Sequence, residues 1–202
     1  MTLASYATLA GLGPTLTTGE AAAALRISTS AASRLLSDLA TYGLARRVRH
    51  GLWVLGSEPV DPRSLAEEVT RPYPAYISFA SALNFHQLID QLPRDISVAS
   101  LDRSKQVRTA MATFVVHHLP PDLFGGWVEE EGTKVASPEK ALFDLCYVSA
   151  AHGARQRRIP ELELPTNFDR KELARWLERI ESPRLRTLTS RGLEYALRRA
   201  LR

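Results

Sequence analysis

The stretch that most constrains this chain covers residues 18–56, TGEAAAALRISTSAASRLLSDLATYGLARRVRHGLWVLG. It predicts a short helix ending near Arg26, a tight turn, a second helix, and a two-stranded hairpin with arginines at its tip. Ser28 is a residue type that caps helix starts by accepting a backbone N–H bond. Thr29 then opens a helix over residues 29–42, which stops at Gly43, the usual residue just past a helix end. Ala32, Leu35, Leu36 and Leu39 recur at helical spacing and form one apolar face. The opposite face carries Ser30, Ser33, Arg34 and Ser37. Residues 44–49 and 52–55 read as two strands joined by a turn at His50-Gly51.

A helix face of small polar side chains beside one arginine lets the helix approach DNA closely, as the recognition helix of a winged helix-turn-helix does. The residues expected to touch DNA from this helix are Ser28, Thr29, Ser30, Ser33, Arg34 and Ser37. Arg46, Arg47, Arg49 and His50 surround the hairpin turn, and no acid stands between Asp38 and Glu58. A basic hairpin of this kind lies along the phosphate backbone and gains affinity from counterion release.

A chain of 202 residues holds one large or two small domains. The expected division is residues 1–57 for the winged helix and 58–202 for a second, mixed α/β domain, α+β overall. Charge is uneven along the chain: +3 over residues 1–57, −5 over 58–150 and +6 over 151–202. Basic ends around an acidic middle point to DNA contact at both ends. Arg155, Arg157 and Arg158 are the candidates for the second contact. No apolar run reaches the 18 or so residues a membrane span needs, and no basic residue precedes the apolar part of the amino terminus. The expectation is a cytoplasmic protein without a membrane partner.

Beyond residue 57, a short helix is expected over 63–69, begun by Asp61 and Pro62. The run RPYPAYISFASALNFHQLIDQLP opens extended through its prolines, and its later part reads as a helix over 77–92. Strands are expected over 95–101 and 113–119, and a hairpin over 127–136 turning at Glu131-Gly132. Ser137, Pro138 and Glu139 are cap, first-turn proline and acid of a helix over 138–150, with Ala141, Leu142, Leu145 and Cys146 as its apolar face. A brief strand over 161–164 and two helices, over 170–180 and 183–201, close the chain.

Candidate chemistry is sparse. The single cysteine, Cys146, lies in an apolar helical run and reads as a small core residue. His117 and His118 alternate across a strand, so they cannot chelate one metal together, and no third ligand stands at a metal-like spacing. Neither metal nor cofactor is expected. Gly11-Leu12-Gly13 and Gly125-Gly126 lack the strand–helix context of a phosphate loop. Lys140 and Asp144 are four apart on one helix face and read as a structural pair, worth a few tenths of a kcal/mol, rather than as part of a nucleotide site.

Three pieces together resemble the AbiEi family of bacterial antitoxins: the amino-terminal winged helix, the run YISFASALNFHQLIDQLP and the later VASPEKALFDL. The S-A-L-x-x-H pattern is matched by Ser81, Ala82, Leu83 and His86, and P-E-K-A-L-x-D by Pro138, Glu139, Lys140, Ala141, Leu142 and Asp144. Gln87 stands where a glycine commonly follows the histidine. The resemblance implies an antitoxin that represses its own operon by binding inverted repeats in operator DNA, through a dimer or two copies meeting there. Its second domain would counter a cognate nucleotidyltransferase-like toxin. A kinase-like activity on the toxin is the alternative within the family, and a ligand-responsive winged-helix regulator is the alternative outside it.

Overall fold

A computed structural model of the chain describes residues 3–153 and 160–200. The chain is α+β and divides into two compact units, residues 1–61 with 108–112, and residues 62–107 with 113–202. The division was expected after residue 57, and the first segment of the amino-terminal unit runs on to residue 61. The return of 108–112 to the amino-terminal unit was not foreseen.

The amino-terminal unit runs α1 (Leu3–Ala10), β1 (Thr15–Thr17), α2 (Thr18–Leu25), α3 (Thr29–Thr41), β2 (Ala45–Arg49) and β3 (Leu52–Leu55). Local chemistry sets each helix boundary. Thr17 and Glu20 form a reciprocal capping box at the start of α2. The Ser28 side chain accepts the Ala31 N–H at the start of α3. Its end is a Schellman closure, with Leu44 N–H donating to Leu39 O and Gly43 N–H to Ala40 O. Gly43 has φ +72°, where a side chain is strained.

Leu9, Leu16, Ala21, Ala32, Leu36 and Trp53 share one buried core, with Leu35 packed at its edge. The hairpin is in fact the larger part of a three-stranded sheet, in the order β1-β3-β2. Three residues, Thr-Leu-Thr, are too few for alternation to announce β1. It exists because β3 offers it a free edge, Leu16 opposite Trp53.

The carboxy-terminal unit begins with a 3₁₀ turn (Pro62–Leu65) and α4 (Ala66–Thr70). Then come β4 (Ala75–Ile77), α5 (Phe79–Phe85), β5 (Ile96–Ser100), β6 (Lys105–Arg108) and β7 (Thr113–His118). A 3₁₀ turn at Pro121–Leu123 leads to β8 (Trp127–Glu130), β9 (Thr133–Ala136), α6 (Pro138–Ala151), α7 (Arg170–Glu178) and α8 (Pro183–Arg199). The six strands lie in the order β6-β7-β5-β4-β9-β8. β5 pairs parallel with β7, and β4 pairs antiparallel with β5 and parallel with β9.

Three expectations give way here. The helix expected over 77–92 is only α5, because Tyr76 and Ile77 are drawn into a strand between two neighbours. The helix then ends at His86, whose Nε2 donates to Ala136 O at 2.8 Å. Gln87, at the position where the resemblance has glycine, adopts φ +60°, a conformation glycine takes more readily. The strand expected over 161–164 is a single bridge, Glu163 N–H donating to Leu88 O. Helix α6 has no solvated face over most of its length: residues 139–148 are buried all round except Leu145. It lies against α5, α7, α8 and β9.

Candidate nucleic-acid interface

Strand β2 carries the arginines of the hairpin, and its register decides where they point. Arg47 faces Trp53 and Arg49 faces Leu52, so Val48 is an extra residue, a β-bulge. The bulge lets Ala45 and Val48 both be buried while Arg47, Arg49 and His50 are exposed. The Arg47 guanidinium lies 5.8 Å from the centre of the Trp53 ring, so its stem covers the core while its charge faces water.

Arg46 departs from the expectation. It is half-buried, its Nη2 donates to Glu58 O at 2.5 Å, and its Nε is buried without a hydrogen-bond partner. This contact holds the chain leaving β3. The run of arginines does not reveal this, because the acceptor lies twelve residues on in the chain.

On α3, Ser28, Thr29, Ser30, Ser33, Arg34 and Ser37 are all exposed. Ser28 and Ser30 hydroxyls are 3.0 Å apart, and Ser37 Oγ donates to Ser33 O at 2.9 Å. These hydroxyls are satisfied along the helix and project little, so the face is low. Arg34 rises from it with only a 3.5 Å contact from Nε to Ser30 O. The structure thus gathers a low polar face with one arginine on α3. Arg155, Arg157 and Arg158 lie outside the described residues.

The carboxy-terminal unit holds a constellation in which the expected Lys140–Asp144 pair is set far deeper than its spacing indicates. Lys140 and Asp144 are 0% exposed, and their side chains are ion-paired within α6. Asp144 also accepts hydrogen bonds from Ser78 Oγ at 2.7 Å and Tyr76 Oη at 3.0 Å. The Lys140 ammonium lies 4.5 Å from the centre of the Trp176 ring, 5.3 Å from Phe143 and 5.5 Å from Tyr76. Removal from water pushes the lysine below its ordinary range and the aspartate above it, and their mutual attraction opposes both shifts. Burial foremost, with Asp144 beside it, raises the Tyr76 phenol. Every member is held and none meets solvent, so the cluster ties α6, β4 and α7 together and offers no surface to a nucleotide.

The signal that could have found it was the absence of a polar face in α6. Between Glu139 and Ser149, the only polar side chains are Lys140, Asp144 and the hydroxyl of Tyr147, and a helix apolar all round is a buried one.

Cys146 is buried, and desolvation pushes its thiol up to about 12. Its Sγ lies 3.5 Å from where a Cβ on Gly192 of α8 would stand. Such a thiol is no nucleophile. In native protein at pH 8 it is expected to react with a colorimetric disulfide reagent far more slowly than after unfolding in guanidinium. Equal rates would contradict the packing of α6 on α8.

Among the described residues, no group of three or more His, Cys, Asp or Glu is placed to hold a metal ion. No described helix is long and apolar enough to cross a membrane. No protein-family model matches the chain, and no curated protein matches it.

Proposed function

We propose that the amino-terminal unit is a winged helix-turn-helix that binds operator DNA, and that the chain is a self-repressing antitoxin directed at a nucleotidyltransferase-like toxin. The observation that carries the DNA reading is the exposed α3 face of Ser30, Ser33, Arg34 and Ser37, on the same unit as exposed Arg47, Arg49 and His50. Helix α3 would enter the major groove by its amino-terminal half, with the Ser28 cap and Thr29 near a phosphate and Arg34 reaching a base edge. The β2–β3 hairpin would follow the backbone. The antitoxin reading is supported by the sequence patterns around Ser81 and Pro138. The kinase alternative finds no support in Lys140 and Asp144, which are sealed from solvent.

The test is a gel shift with the DNA upstream of the protein's own gene, repeated across salt concentrations. Arg34→Ala is expected to cost about 1–3 kcal/mol and to relax base preference at one position. Arg47→Ala and Arg49→Ala are each expected to weaken binding to all sequences alike and to lower the salt slope by about 1. Unchanged affinity in all three variants refutes the DNA assignment. For the antitoxin part, co-expression with a toxin encoded beside it should restore growth, and failure to restore growth refutes that part alone.

A further inference from the structure

We propose that the outer edge of β8 takes up an extended, basic segment of a partner protein as a seventh strand of the carboxy-terminal sheet. This edge lies wholly within the carboxy-terminal unit, and its use does not depend on the DNA reading above.

Strand β8 closes one side of the six-stranded sheet, and among the described residues no strand lies beyond it. Its register with β9 fixes which backbone groups face outward. Trp127 lies opposite Ala136 and Glu129 opposite Lys134, with Val128 opposite Val135 between them. Ser137 N–H donates to Gly126 O just before the first of these pairs. In an antiparallel ladder hydrogen-bonded and non-bonded pairs alternate, so Val128 and Glu130 bond inward to β9. The N–H and C=O groups of Trp127 and Glu129 therefore face outward, every second residue, which is the phase an added strand uses.

The side chains along this edge decide what kind of strand it accepts. Val128, Glu129, Glu130 and Glu131 are all exposed. Among the described residues none of the three carboxylates has an ion-pair partner. Lys134, opposite Glu129, is engaged elsewhere: its ammonium is 2.9 Å from Glu67 Oε1 and 5.6 Å from the centre of the Trp127 ring. Successive side chains of a strand point to opposite faces, so Glu129 and Glu130 set a negative charge on each face of the edge. Opposite charges across a strand pair stabilise it, and like charges destabilise it. A second copy offering its own β8 would set Glu129 against Glu129 and is turned away. An extended segment carrying lysines or arginines meets the outward backbone groups, the carboxylates and Val128, which is 47% exposed.

The probe is a fluorescein-labelled peptide of alternating lysine and valine, added to the full-length protein. Its control is the same peptide N-methylated along one edge, which keeps the charge and cannot pair. Fluorescence polarisation should show binding of the first peptide, weakened about tenfold or more from low to high salt. The N-methylated peptide should bind at least about tenfold more weakly, since it loses the ladder bonds. In nitrogen-labelled protein, the first peptide should slow exchange of the Trp127 and Glu129 amides about fivefold or more. The amides of Val128 and Glu130, already bonded to β9, should be unchanged. Glu129→Pro removes an outward donor at an edge position that tolerates proline, and should lose most of the affinity. Glu129→Gln keeps the N–H and should lose only part of it. No binding of the lysine peptide, equal binding of its N-methylated form, or protection that misses Trp127 and Glu129 overturns the proposal. The carboxylates would then serve only to keep other strands off the edge.

Discussion

Replacing Asp144 with alanine is expected to cost the carboxy-terminal unit about 3–5 kcal/mol, the usual loss when one partner of a buried pair is removed. The ammonium of Lys140 would remain among Trp176, Phe143 and Tyr76 with no counter-ion, and the hydroxyls of Ser78 and Tyr76 would lose their shared acceptor. The double replacement Lys140→Met with Asp144→Leu removes both charges and keeps the volume. It should recover most of the loss, because two charges withdrawn from water pay desolvation that a hydrophobic pair does not.

Asp144→Asn separates charge from shape, and it adds a pH dependence. Burial alone then holds Lys140 below its ordinary range. A group whose folded pKa is depressed costs stability below its unfolded pKa, about 10.4 for lysine. The asparagine variant should therefore gain stability over wild type as pH rises from 7 toward 10. Urea denaturation followed by the fluorescence of Trp127 and Trp176 in a Trp53→Phe background reads this unit. A stability unchanged in Asp144→Ala would contradict the burial of the pair.

The second large effect is expected at Gly126. Its φ is +76°, and a Cβ there would stand 2.7 Å from Trp176 Cζ2 and 3.0 Å from Lys140 Cγ. Gly43 has nearly the same φ, +72°, with nothing within 4 Å of its absent Cβ. The two alanine variants thus divide backbone strain from collision. Gly43→Ala should lose about 1–2 kcal/mol from the left-handed backbone alone. Gly126→Ala adds overpacking of about 1–3 kcal/mol and should lose about 2–5 in total. Equal losses, read from the denaturation midpoints, would show that Trp176 and Lys140 give way freely.

The features legible in the sequence were those decided within a few residues. Ser28 and Ser137 cap helices as expected because a side-chain oxygen meets an N–H three positions on. The turns at Gly51 and Gly132 follow from equally local demands. What escaped notice was decided by neighbours distant in sequence. β1 and β4 are three residues each, too short for a pattern, and are strands because partner strands flank them. Arg46 was grouped with Arg47 and Arg49 because all three flank the turn, whereas its bond to Glu58 O is made twelve residues on. Lys140 and Asp144 were read from their spacing as a structural pair, but with the small energy of an exposed helix pair. Spacing reports that two side chains share a helix face and is silent on what that face meets.

The path of residues 108–112 bears on how such a chain can be cut and rejoined. Its amino-terminal unit is assembled from two separated pieces of chain, and the backbone passes between the units at three places. A fragment ending at residue 61 would leave the outer edge of β2 unpaired at Val48, and an open strand edge is a template for pairing with other chains. Exchange of the amino-terminal unit with that of another protein by a single crossover near residue 61 would part β2 from residues 108–112, whose Ala110 N–H donates to Val48 O. A chimera that keeps this edge covered has to carry residues 108–112 along with β2, so recombination would move the two pieces as one inheritance or not at all.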